Sequence, residues 1–371
     1  MTNFEYQPPL PGMYIQEELD AREWSQRDLA FILGIEEATL NKIIKGKTGI
    51  SVETSKALAE AFDIDADFFS NLQKSYDLAN SAAPDPAISR RASLQTRYPV
   101  REMIKRGWIK NADVSVLENQ LESFFRTSND NNVAPVRHVA KKTNSGENPT
   151  PLQEAWLYRV MQIADAMECK PYSGRMLSDH VVTLKNSMLN VEDVARVPAI
   201  LAECGLRFVI VEGLPNAKID GVCLWLDDAR PVVGMTLRQD RIDNFWFVLW
   251  HELCHVMNND GKKEVIIDVD LDGGKANDTA EEREANRYAA DKCVEAGDLV
   301  SFLARRANFI SEKDVIHFAK MQKVHPGVIV GQIHNRTKRF SLLRKYLVKI
   351  REFVLPVATI DGWGRVAPVS I

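Results

Sequence analysis

The 371 residues exceed the usual size of one domain, so length favours two or more. With 45% hydrophobic and 26% charged residues the composition is that of folded globular domains, and no run of about eighteen apolar residues suggests a membrane span. A net charge of -4 gives no global pull toward nucleic acid, and the five cysteines, Cys169, Cys204, Cys223, Cys254 and Cys293, show no CxxC spacing, which excludes a disulfide framework or a cysteine zinc site.

The N-terminal run "MTNFEYQPPLPG" has no charged start followed by an apolar core, so it does not read as a secretion signal and a cytoplasmic protein is expected. Residues 13 to 78 show apolar residues at helical spacing, broken at "GIEE", "GKTGIS" and "DIDAD", which predicts a set of short helices. Within it, "WSQRDLAFILGIEEATLNKIIKGK" (24–47) has the layout of a helix-turn-helix. Ser25 and Asp28 can cap the first helix, Leu29, Ala30 and Leu33 form its inner face, and Gly34 allows the turn. Ile35, Leu40, Ile43 and Ile44 then pack the second helix back on the first. That leaves Glu37, Ala38, Thr39, Asn41, Lys42 and Lys45, with Arg27 and Lys47, to face a major groove.

These residues resemble the Cro/C1-type (Xre) family, and the longer run from "PGMYIQEELDAREWSQRDLA" to "FFSNLQKSYDL" is similar to its HigA antitoxin branch, over about 65 residues. The resemblance implies an operator-binding regulator, acting as a homodimer on two half-sites. Charge runs the other way. Over residues 1 to 80, seven Lys or Arg stand against fourteen Asp or Glu, a net of −7, and Glu36 and Glu37 open the second helix. A partner-binding module built on the same fold is therefore the competing reading.

"SAAPDPAISRRASLQTRY" (81–98) reads as a linker, and seven basic residues against Glu102 alone between Arg90 and Lys110 make its vicinity locally basic. A helix is predicted at 112–126, then a second polar connection to about 151. Beyond it come helical patterns at 153–168 and 191–204 and three strand-like runs, "LRFVIVEG", "IDGVCLWLD" and "RPVVGMTL". They are followed by a long apolar helix, a loop "DGKKEVIIDVDLDGGKANDTA", a helix "EEREANRYAADKCV" and helices around 313–335. The domain boundaries read as 1–80, 81–150, 151–345 and a C-terminal tail 346–371.

The long helix carries "FVLWHELCHVMNND". Two histidines four apart share one helical face, separated by roughly 6 Å along the axis, which suits two imidazoles on one tetrahedral metal. His251 and His255 are thus predicted to bind Zn2+. The third ligand is best supplied by the next helix. Glu282 and Asn286 fall on one face there, so Glu282 can reach the metal while Asn286 supports a ligand histidine, with Glu281 and Glu284 as alternatives. Tyr288, His325 and His334 are candidates to stabilise an oxyanion. Cys254 is turned about 100° from His255 and reads as core.

"FWFVLWHELCH" followed by "EREANRYAA", together with "KIDGVCLWLDD" and "HPGVIVGQIHNR", resembles the ImmA/IrrE family of metallopeptidases, over roughly 155–340. The resemblance implies zinc on His251, His255 and Glu282 with Glu252 as base, and a repressor-like protein as substrate. The expected fold class is α+β and multidomain: an N-terminal all-α helix-turn-helix bundle and a C-terminal zincin-like α+β peptidase domain with a small sheet. The expected function is a DNA-binding regulator or antitoxin with a zinc endopeptidase domain that cleaves itself or a partner, and a cognate toxin is a further expected partner. Two alternatives are weighed. In one, the peptidase-like domain only binds a toxin or ligand; in the other, a housekeeping protease carries a vestigial helix-turn-helix.

Overall fold

Five short helices form the first unit because each has a start or stop signal and one apolar face. They are α1 (Pro11–Ala21), α2 (Gln26–Leu33), α3 (Glu37–Ile44), α4 (Val52–Phe62) and α5 (Phe68–Asn80). A capping box starts α2: the Ser25 hydroxyl accepts from Asp28 N and the Asp28 carboxylate accepts from Ser25 N at 2.8 Å. Gly34, at φ 67°, ends it in the left-handed region. Ile15, Leu19, Leu29, Leu40, Leu58, Phe62 and Phe69 make the core, whereas Leu33, Ile35 and Ile44 are only half-buried against it.

The computed structural model describes residues 8–125, 140–142, 148–262, 265–269, 279–306 and 309–362. It divides into two units, Met1–Ile88 and Ser89–Ile371, each with its own core. Where a linker is expected at 81–98, helix α6 (Pro86–Arg97) forms instead. A proline at a first helical position costs no intrahelical bond, and the Asp85 carboxylate accepts from Ala87 N at 2.8 Å, so "PDPA" is a helix start and not only a breaker.

In the second unit, α7 (Val100–Lys105) and α8 (Val114–Phe124) precede β1 (Ala140–Lys142), α9 (Pro151–Ala166), α10 (Gly174–Asn186) and α11 (Val197–Glu203). Strands β2 (Arg207–Ile210), β3 (Ile219–Trp225) and β4 (Pro231–Met235) lead to α12 (Ile242–Asn258), β5 (Val265–Val269) and α13 (Ala280–Cys293). Helices α14 (Ala296–Arg305), α15 (Glu312–Gln322), α16 (Pro326–Thr337) and α17 (Arg351–Val354), then β6 (Thr359–Ile360), complete it. The described strands make one sheet in the order β1-β5-β3-β4-β2-β6, with β3 antiparallel to both neighbours and the other pairs parallel.

Both faces of this sheet are covered, so its strands are apolar at successive positions rather than at alternate ones. Phe208, Ile210, Cys223, Val233 and Met235 point into a core shared with α12, while Val209, Val222, Leu224 and Val232 point to the other side, against α9. The segment expected to connect domains belongs to that second layer: Val100, Met103, Ile109, Leu117 and Leu121 are buried in it. Arg106, one of the locally basic residues, is buried there too and donates to the carbonyls of Glu212 at 2.5 Å and Gly213 at 2.9 Å.

Three further expectations change. The loop predicted after α12 holds β5, whose "VIIDV" pairs with β3. Residues read as a C-terminal tail enter the fold as far as they are described: Ile350 and Val354 are fully buried and β6 pairs with β2. Helices α10 and α14 lie in stretches where no element is predicted. The second polar connection lies mostly outside the described residues.

Candidate metal centre and helix-turn-helix surface

Helix α12 is anchored through Phe245, Trp246, Leu249 and Val256, all at most 1% exposed, and it crosses β3 at Gly221. Its remaining face presents His251 and His255. Helix α13 starts at the Thr279 cap, whose hydroxyl accepts from Glu282 N at 3.3 Å, so Glu282 sits in the first turn, where a carboxylate is favoured by the helix dipole. Ala285 and Ala289, both fully buried, lie along the same side and let α13 approach α12 closely.

The result is a buried group of three. His251 Nε2 and His255 Nε2 are 3.1 Å apart, and each lies 3.3 Å from a different oxygen of Glu282. All three side chains are at most 2% exposed. His255 Nδ1 is 2.9 Å from the Asp260 carboxylate, which fixes the hydrogen on Nδ1 and leaves a lone pair on Nε2. Neither oxygen of Glu282 receives a hydrogen bond. Two imidazole nitrogens and a carboxylate therefore converge in a dry interior, a donor set that fits a divalent cation. Bonds of about 2.0–2.1 Å in a regular tetrahedron place donor atoms about 3.3 Å apart; the two imidazole nitrogens are close to that edge length, and with one oxygen of Glu282 the three donors lie within 4.8 Å of one another.

Glu252, fully buried, follows His251 on α12. Its carboxylate fills the space that Gly221 leaves on β3: a Cβ there would lie 2.0 Å from Glu252 Oε1. Glu281 and Glu284, the alternative ligands, are exposed. Cys254 is buried beside the group but lies outside it, and burial pushes its thiol up to about 11, so it stays protonated.

Four residues expected at the site have other neighbours in the structure. Asn286 is half-buried one turn beyond Glu282, and the partner of the ligand histidine is Asp260 instead. Asp260 gets there because Asn259, at φ 60°, reverses the chain just after α12, and because the Trp225 indole N–H donates to the Asp260 carbonyl at 2.9 Å. Tyr288 packs on Trp250 and its hydroxyl faces the Met257 sulfur at 3.8 Å, on a flank of α12 about 110° from the ligand face. Burial raises its phenol to about 12. His325 caps α16: its Nδ1 accepts from Gly327 N at 3.0 Å and its backbone N–H donates to the Met188 carbonyl at 2.7 Å. The Nε2 of His334 is taken by the Leu342 carbonyl at 2.6 Å.

Sequence reasoning missed Asp260, Gly221 and Trp225. The signals were present: "NNDG" is a turn signature directly after the motif, and a glycine inside a strand marks a close approach.

On the first unit, Arg27, Glu37, Ala38, Thr39, Lys42, Lys45 and Lys47 are exposed, and Asn41 is half-buried. Lys45 and Lys47 lie beyond the last residue of α3, at its C-cap and in the following turn. The Asn41 amide donates to Gln26 Oε1 at 3.0 Å, tying α3 to the start of α2, and Arg27 lies 3.4 Å from Glu37 in an exposed pair. That pair offsets part of the acidic charge at the start of α3.

Residues 15–69 match the helix-turn-helix family, and the first unit is a helix-turn-helix domain. The chain is 38% identical over 73 residues to virulence-associated protein A' of Dichelobacter nodosus, a match over 19% of this chain and 64% of that protein. It therefore spans less than two thirds of that relative. Among solved structures it is similar to PA4674 of Pseudomonas aeruginosa, crystallised with its operator DNA, at 31% identity over 23% of this chain and 92% of that one, with a TM-score of 0.21. It is also similar to an addiction module antidote protein of the HigA family from Coxiella burnetii, at 24% identity over 29% of this chain and all of that one (100%), with a TM-score of 0.19. No helix among the described residues is long and apolar enough to cross a membrane.

Proposed function

We propose that this chain is a DNA-binding regulator of the antitoxin kind whose second unit is a zinc-dependent endopeptidase of the ImmA/IrrE type. The observation that carries the peptidase half is the convergence of His251, His255 and Glu282 as a buried donor set for a metal, with Glu252 next to His251 on the same helix. A divalent cation held there supplies a Lewis acid for a peptide carbonyl and lowers the pKa of water. The chain does the rest. His255 is held in one tautomer by Asp260, Glu282 is fixed by the Thr279 cap, and Glu252 takes a proton on its carboxylate and returns it to the leaving amine.

The regulatory half rests on the helix-turn-helix match and on the exposed Lys42, Lys45 and Lys47 on and after α3. It would engage operator DNA as a dimer, with a repressor-like protein as substrate and a toxin as a further partner. A second reading, in which the second unit holds its metal structurally and serves only to bind a partner, is favoured by the depth of the ligands, every side chain of the trio being at most 2% exposed.

Metal analysis and a Glu252→Gln variant separate the two. The peptidase reading expects bound zinc in both proteins and loss of cleavage of a co-expressed regulator in the variant alone. Equal cleavage, or none in either protein, sinks it.

A further inference from the structure

Two turns before His251, on the same face of α12, lies Asn244. Seven residues put it about 20° around the helix from His251 and about 10 Å along the axis. It is 8% exposed, and its amide, which makes no hydrogen bond among the described residues, keeps contact with solvent. That amide lines a cavity of about 40 Å³, shared with Phe247, Gln332 and Phe340. Phe247, one turn from His251 with its ring centroid 6.4 Å from the imidazole, lines the cavity and stands beside the metal group.

An amide that faces solvent can exchange it for a ligand group. The neighbouring Gln332 side chain is engaged with the Cys293 sulfur. Charge at the rim is cancelled: Arg241 donates to both Asp243 oxygens, at 3.0 and 2.5 Å. The cavity, which His334 and Asn335 also line, therefore offers amide donors and acceptors between two aromatic rings, with the rim charges paired, in room for about three water-sized groups.

We infer that this cavity is a subsite for a carboxamide side chain, glutamine or asparagine, of the peptide substrate. An amide is the complement of Asn244: it can donate to Asn244 Oδ1 and accept from Nδ2 at once, while its apolar stem lies against Phe247 and Phe340. An extended peptide advances about 3.3 Å per residue, so the carboxamide sits about three residues from the bond cleaved beside His251. A charged side chain would lose its hydration without gaining a counter-charge. The inference rests on the peptidase reading of the same helix.

The test uses the full-length, zinc-loaded protein and internally quenched peptides that carry glutamine, norleucine or glutamate at each position two to four residues from the cleaved bond. At one position, glutamine should exceed norleucine and glutamate in kcat/KM by about tenfold, and Asn244→Leu should bring the glutamine-to-norleucine ratio to about one. A ratio unchanged by the substitution, including an equal loss on all peptides, overturns the subsite. If wild type cleaves no peptide, it is the peptidase reading that fails, and the cavity is then judged by binding alone. Saturation transfer by NMR to N-acetylglutamine methylamide, present with wild type and lost with Asn244→Leu, supports it, and absence of transfer to wild type overturns it.

Discussion

Asp260 and Gly221 touch no metal, yet each determines what a neighbour on α12 can do. Asp260 holds His255 through Nδ1 at 2.9 Å. On the proposed metal reading, Asp260→Ala should weaken zinc binding by about 10–100-fold in competition with a chelating dye, because the imidazole loses both its orientation and part of its basicity. Gly221 has a different effect. An alanine Cβ would stand 2.0 Å from Glu252 Oε1 and 2.8 Å from its Cδ, so Gly221→Ala must displace the carboxylate. Peptide cleavage should fall by about 10²-fold or more while the zinc content stays that of wild type. Loss of metal and activity together would instead point to general damage around α12.

Among the elements, α16 shows how a histidine can be explained by its helix. His325 caps that helix as a neutral acceptor, and burial lowers its pKa below the usual value, partly offset by the charge of Glu192. The unfolded chain then binds more protons than the folded one as the pH drops below about 6.5, so stability falls with acidification from that point. His325→Asn keeps a capping acceptor and removes the titration. It should flatten the acid limb of a Tm-against-pH curve, whereas His325→Ala should cost about 1 kcal/mol at neutral pH, measured by denaturant unfolding. On α3, only Lys42 is helical among the lysines expected to meet DNA. Lys42→Glu with Lys45→Glu should abolish retardation of the chain's own upstream DNA fragment, and a slower loss of binding with salt would mark each phosphate contact removed.

The molecule as a whole carries two cores, one within Met1–Ile88 and the other built around the sheet of Ser89–Ile371. Only the second holds the His251, His255 and Glu282 group. Calorimetry should therefore resolve two unfolding transitions, and a chelator should lower the midpoint of one and leave the other in place, since a ligand stabilises only the unit that binds it. A chelator that moved both transitions, or neither, would contradict a metal confined to the second unit. The same division bears on regulation: the helix-turn-helix can be assayed for DNA with Glu252→Gln in place, because the two activities are proposed for different cores.

The helix-turn-helix, the strands β2 to β4 and the spacing of His251, Glu252 and His255 were legible in the sequence because they depend on near neighbours: Ser25 with Asp28, short runs of bulky apolar residues, and imidazoles one helical turn apart. The expectation that Glu282 stands near the histidines also came from periodicity, on a helix that could be bounded at Thr279. What stayed hidden were relations between distant segments. Asp260 and not Asn286 meets His255 because of a left-handed turn and a bond from Trp225 on another strand. Tyr288 and His325 are directed to Met257 and Gly327 by packing that no local pattern encodes. The basic stretch and the helix at 112–126, read in sequence as a connection between domains, became a layer on the sheet because burying Val100, Met103, Leu117 and Leu121 outweighs keeping them in a solvated connection. Local spacing determined which residues could do chemistry; only the tertiary structure decided which of them face one another, since burial and hydrogen-bond partners are properties of the whole fold.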